Sequence, residues 1–464
     1  MKKDKYDLSK EELRRMRRKS EQRKAYAIVG LMVLVAIIIG GLAGFGIYRV
    51  VKSHKQAAEP VVEEVVEEEP IVISEPEPEI VISENEVSEN SISENSISEN
   101  DILAKNELSD ARKEELLETK VKEVVDGMTL EQKVAGLFFI TPDELTNKSK
   151  LTVAGSDMDA ALKEYQVGGI YITPGNVTDE QQLREFVNGV RNLSRQEIFI
   201  GIEECGGEES TLVKTGVVEE SEIESPVAIA EQADNTLAYT NGIAIGTLLK
   251  RYGIDTVIGP TADVCYKEGS YTEDQSFGSD PTPVKDLVRN EVNGIRDQDI
   301  RTCVKFFPGY GDIMASPESS RPMSSRTKED IVENDYPIYE DLIYAKTDMI
   351  MVSQIAYKPI TFDVPACLSE DMVTKMLREE LGYDGIIVTD YLDTHSIIMH
   401  YKHADMAVMA IEAGCDMLFC TGDFQKAYNG ILDAVNAGTI TEERINESLY
   451  RIYRVKLRDK IAYN

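Results

Sequence analysis

The residues able to do chemistry in this chain are mostly carboxylates, and they recur at the ends of short apolar runs. Glu203 and Glu204 close the run Ile198–Glu203, and Asp263 follows Asp255–Gly259. Lys305 lies inside Thr302–Phe307, and Tyr310, Asp312 and Glu318 come after it. Gln354 stands at the end of Met349–Ile355, and Asp390 follows Gly385–Thr389. Two carboxyl groups are enough to cleave a glycosidic bond: one attacks the anomeric carbon or activates water, the other protonates the leaving oxygen. The six cysteines are far apart with no C-x-x-C pair, and no phosphate-cradling glycine motif follows the first run. The expectation is hydrolysis by carboxylates with no cofactor and no metal.

Eight β-rich runs carry these groups. Besides those above they are Val134–Ile140, Gly168–Thr173 and Asp416–Cys420. Helical patterns lie between most of them: Glu180–Leu193, Asn235–Tyr252, Pro283–Gln298, Lys328–Ala345, Glu370–Leu381 and Met406–Ala413. Strands buried on both faces and alternating with helices imply parallel βα units. Eight units point to an α/β fold, a (β/α)₈ TIM-type barrel over residues 108–464, rather than a doubly wound open sheet. A last helix, opened by a capping box from Thr439 and Glu442, presents Ile445, Leu449, Ile452 and Val455 on one face to close it.

The N-terminal quarter has another texture. Residues 1–24 hold eleven Lys/Arg against five acids. Residues 25–48 carry no charge, and as a helix would span roughly 36 Å, enough for a bilayer. The basic flank keeps residues 1–24 in the cytoplasm, so the expectation is a single-pass anchor with the barrel outside the cell. Residues 59–100 hold fourteen Glu and no Lys or Arg, with Ser-Glu-Asn at Ser83, Ser88, Ser93 and Ser98. Residues 49–107 read as a disordered acidic linker. The whole 464-residue chain has a net charge of −33, which excludes a nucleic-acid partner. No obligate protein partner is evident; the expected partners are a glycan and the membrane that holds residues 25–48.

Lys305–Asp312 reads K-F-F-P-G-Y-G-D and resembles the K-H-F-P-G-H-G-D motif of glycoside hydrolase family 3. Leu377–Asp390 resembles that family's L-R-x-E-L-G-F-D-G-x-x-x-(T/S)-D segment. Met128–Lys133, Ile202–Gly207 and Ser276–Pro281 fit it as well, in order, from about Met128 to Lys456. Within the family the chain is most similar to single-domain bacterial β-N-acetylhexosaminidases.

The resemblance implies Asp390 as the nucleophile of a retaining mechanism. It implies sugar binding by Lys305 and by Glu203, where the family has an aspartate. Gln275, Tyr310 and Gln354 occupy further substrate-binding positions, but each departs from the family residue: arginine, histidine and histidine respectively. The subgroup's acid/base histidine lies in a D-S-H triplet, here Ser316-Pro317-Glu318. Glu318 therefore stands as the candidate acid/base. The expected function is a membrane-anchored extracytoplasmic glycosidase acting on wall or polysaccharide glycans. The alternative is a degenerate barrel that binds glycan without cleaving it.

Overall fold

A computed structural model describes residues 99–460, with side chains from Asp110. Its core is one sheet of eight parallel strands: β1 (Phe138–Ile140), β2 (Gly169–Ile172), β3 (Phe199–Glu203), β4 (Thr256–Thr261), β5 (Arg301–Phe307), β6 (Met349–Val352), β7 (Ile386–Thr389) and β8 (Leu418–Phe419). Each pairs with its sequence neighbour and β8 returns to β1, through Phe138 opposite Leu418. A single bridge from Val388 to Met417 closes the ring between β7 and β8. The strands are buried on both faces apart from the carboxyl end of β3, because side chains fill the interior and helices cover the outside. The (β/α)₈ expectation holds.

The amino ends of the strands are tied by arginines. Asp416, at the entry to β8, is fully buried and ion-paired to Arg378 at 2.6 Å and Arg451 at 3.1 Å. Asp348, before β6, pairs with Arg458 through Oδ1, and its Oδ2 lies 4.0 Å from Nε of Arg296. Burying these acids is tolerable because each meets a guanidinium.

Several boundaries differ from the sequence reading. Residues 130–135, placed partly in the first strand, form the helix Leu130–Ala135, capped by a reciprocal Thr129–Gln132 box. The helix Glu99–Asp126 begins inside the stretch assigned to the acidic linker. It buries Leu117, Val121 and Val125 at i, i+4 spacing, and its Asp126 accepts from Tyr450 on the closing helix Glu442–Leu457 at 3.2 Å. That closing helix is capped by Thr441 rather than Thr439. The stretch Lys328–Ala345 breaks into Lys328–Asn334 and Tyr336–Tyr344 at Asp335, which turns inward to pair with Arg326. Two short strands, Met323–Ser324 and Ala356–Tyr357, pair beside the barrel and were not anticipated. All six cysteines are buried with free thiols. The candidate membrane span 25–48 and most of the linker lie outside the described residues. Among the described residues no helix is long and apolar enough to cross a membrane.

Candidate active site

At the carboxyl ends of the strands lies a cleft of about 320 Å³. Asp390, Glu203, Gln275, Tyr310, Gln354 and Glu318 all line it. The sequence therefore brought six of its seven candidates to one place. The seventh, Lys305, is fully buried and stands behind Glu203 instead of on the cleft wall.

The turn after β5 shows how the fold aims its side chains. Asp263, fully buried after β4, accepts from the backbone N–H of Phe306 at 3.1 Å and of Tyr310 at 2.8 Å. The Thr272 hydroxyl donates to the same carboxylate at 2.8 Å. Gly311 must be glycine, because a Cβ there would lie 1.6 Å from the carbonyl oxygen of Val264. With the turn pinned, the Tyr310 phenol donates to Oδ2 of Asp390 at 2.5 Å.

Asp390 follows β7 directly, and that strand end is held by the Phe419 N–H donating to Oγ1 of Thr389 at 2.9 Å. Besides Tyr310, Asp390 accepts from the N–H of Gln354 at 3.2 Å and of Tyr391 at 2.8 Å. Burial pushes its carboxyl up to about 6, and these donors restrain the rise. The three donors hold the carboxylate in one orientation.

Glu203 receives the Lys305 ammonium, with the Tyr391 phenol at 3.1 Å and the Tyr171 phenol at 3.4 Å. Burial alone would raise Glu203, but the charge and hydrogen bond of Lys305, with the Tyr391 phenol and the Lys214 charge adding, together hold the carboxyl below its usual value. Burial alone would lower Lys305, but Glu203, with smaller contributions from Cys205 and Tyr271, holds it above its usual value. Both groups stay charged. Tyr391 and Tyr171, whose hydroxyls meet at 2.9 Å, were missed by the sequence reading. The signal for Tyr391 was its place immediately after Asp390; Tyr171 offered none beyond lying in β2.

Gln354 does not act as a free amide. Its Oε1 takes the hydroxyls of Thr394, at 2.5 Å, and Ser396, which ties the loop after β6 to the loop after β7. Gln275 accepts from Oγ1 of Thr261 at 3.2 Å. Glu318 is exposed at the rim, and its loop is fixed to the loop after Asp390 by the Ser396 N–H donating to the Pro317 carbonyl at 3.1 Å. The Tyr271 phenol is pushed up to about 12 by burial and by the charge of Asp390, with Glu203 and Glu318 adding. Tyr271 and those three carboxylates line the same cleft. Glu209, on the short turn Gly207–Glu209, adds a fourth carboxylate to the wall and was also missed.

A parallel barrel whose cleft gathers a buried Asp and further carboxylates at the strand ends has the layout of a barrel glycosidase. Residues 129–455 match the family model described as the glycosyl hydrolase family 3 N terminal domain. The chain belongs to that family of glycosidases. A β-hexosaminidase from Tolumonas auensis is 29% identical over 276 residues, which are 58% of this chain and 80% of that protein. β-Hexosaminidase A from Pseudoalteromonas piscicida is 24% identical, over 67% of this chain and 56% of its own length. The solved structure of a family 3 β-N-acetylglucosaminidase from Paenibacillus sp. superposes with a TM-score of 0.67 at 27% identity. That match covers 72% of this chain and 63% of the solved one, so the chain spans a little under two thirds of it.

Proposed function

We propose that the protein is a β-hexosaminidase-like glycosidase that works by a retaining mechanism, tethered outside the cell by residues 25–48. The observation that carries this reading is Asp390: buried, held by three donors, and open to a cleft that Glu318 shares. In the first step a carboxylate oxygen of Asp390 bonds to the anomeric carbon while the leaving oxygen takes a proton from Glu318. In the second, water attacks the same carbon, Glu318 takes the water's proton, and Asp390 leaves as a carboxylate. Glu203, kept ionised by Lys305, accepts hydrogen bonds from sugar hydroxyls. The tether rests on the uncharged 24-residue run and its basic flank.

A slow 2-deoxy-2-fluoro glycoside tests the mechanism. It should label the protein covalently at Asp390, and Asp390→Asn should abolish label and turnover. A label on Glu203 or Glu204 would overturn the assignment. The second reading, glycan binding without cleavage, draws on the exposure of Glu318 at the rim. Binding of a wall polymer with neither label nor turnover would favour it.

A further inference from the structure

The turn that carries Glu318 has few ties to the barrel. Within Ser316–Ser320 the N–H groups of Glu318, Ser319 and Ser320 all turn back on Ser316, to its hydroxyl at 3.2 Å and its carbonyl at 2.9 and 3.1 Å. Among the described residues a single hydrogen bond leaves the turn: the Pro317 carbonyl accepts from the N–H of Ser396 at 3.1 Å.

Ser396 is the second residue of the short helix His395–Ile398, whose N-cap is Thr394. An N-cap threonine ordinarily accepts, on its side-chain oxygen, the N–H of the second or third helical residue. Thr394 makes no such cap. Its hydroxyl donates to Oε1 of Gln354 at 2.5 Å, and the Ser396 hydroxyl donates to the same oxygen. The amide is oriented by its Nε2, which donates to the Tyr391 carbonyl at 3.4 Å, an acceptor only. Gln354 thus diverts the capping hydroxyl, and the N–H that it would have capped is left for Pro317. The backbone N–H of Gln354 meanwhile donates to Asp390 at 3.2 Å. One residue touches the proposed nucleophile and, through the Thr394 hydroxyl, decides what holds the turn of the proposed acid/base.

Resting on the glycosidase reading above, we infer that Gln354 is a positioning residue: by keeping the Thr394 hydroxyl from capping Ser396, it fastens the Glu318 turn over the cleft that Glu318 shares with Asp390. Without the amide, Thr394 turns to Ser396, the Pro317 bond breaks and Glu318 swings away from the leaving oxygen. Thr394 is then the site of a suppressor. With no hydroxyl at position 394 to recapture the N–H, the Pro317 bond survives the loss of Gln354.

The test is a double-mutant cycle of Gln354→Leu and Thr394→Val in the full-length protein, read by hydrogen exchange and by turnover. Amide exchange over the turn that holds Glu318 should rise about tenfold or more in Gln354→Leu and fall back to within about threefold of the parent in Gln354→Leu/Thr394→Val. Gln354→Leu should lose about tenfold or more in kcat/KM on an alkyl β-N-acetylglucosaminide, whose leaving oxygen needs a proton, and about threefold or less on an activated aryl glycoside, which needs none. Thr394→Val should recover most of that loss. Gln354→Glu keeps an acceptor for both hydroxyls, so its turn should exchange like the parent's; this arm stands even if Gln354→Leu does not fold. Unchanged exchange in Gln354→Leu, equal losses on both leaving groups, a double variant no better than the single one, or a freed turn in Gln354→Glu each overturns the inference. With Asp390 still labelled by the fluoro-glycoside, the glycosidase reading survives any of these. No label and no turnover in the parent brings down that reading and the positioning role with it.

Discussion

Replacing Tyr310 by phenylalanine removes one hydrogen bond from the proposed nucleophile and one of two acceptors of the Gln354 N–H, which still reaches Asp390 at 3.2 Å. The ring should stay in place, since it packs edge-on against Phe306 at 5.0 Å and Tyr271 at 5.4 Å. What goes is the phenol that donates to Oδ2 of Asp390 at 2.5 Å. A hydrogen bond to a charged group contributes about 1.5–3 kcal/mol, and one pKa unit corresponds to about 1.4 kcal/mol. The phenol favours the ionised carboxylate, so its loss should raise Asp390 from about 6 to roughly 7–8. Attack on the anomeric carbon requires the ionised form. The acid limb of kcat/KM against pH should therefore move up by roughly 1–2 units, costing about 5–50-fold at pH 6 and little near pH 9. The assay is a pH–rate profile on an aryl glycoside whose leaving group needs no protonation, with the melting temperature as a check on folding. An acid limb that stays put or moves down, in a variant that melts like the parent, would refute the assignment of this hydrogen bond to the nucleophile.

Glu318→Gln should spare the first step for activated aryl glycosides and slow natural glycosides on the order of 10²–10⁴-fold, with azide restoring turnover. Parent-like rates on every substrate would remove Glu318 from the mechanism. Glu291 is fully buried with neither carboxyl oxygen partnered, and burial, with the charge of Glu204 adding, pushes it up to about 8. Its folded value lies above its unfolded one, so its contribution to stability is greatest below about 4.5 and is lost as pH rises to about 8. Urea unfolding should therefore show Glu291→Gln gaining on the parent by several kcal/mol between pH 5 and pH 8; a constant difference would contradict it. Arg326→Met strands Asp335, which is buried beside it, and should cost about 3–5 kcal/mol in the same assay.

The eight apolar runs, their order and the parallel connectivity were legible in the sequence because local hydrophobicity and β-propensity are properties of contiguous residues. The helices Glu180–Leu193 and Asn235–Tyr252 came out with the same ends, since Asp179 and Asp234 cap their starts and Gly253 ends the second. The site was legible as a set because a parallel barrel must place the ends of successive strands on one face. Asp390 and Tyr310 are 80 positions apart in the chain and 2.5 Å apart in the fold, a proximity that only closure of the barrel could decide. The same holds for Tyr391 and Tyr171 on Glu203, and for Lys305, a candidate sugar ligand by motif that packing places behind the carboxylate it neutralises. Motif spacing states which residues are near in sequence; burial and charge pairing, which fix what each group can do, belong to contacts made across the ring.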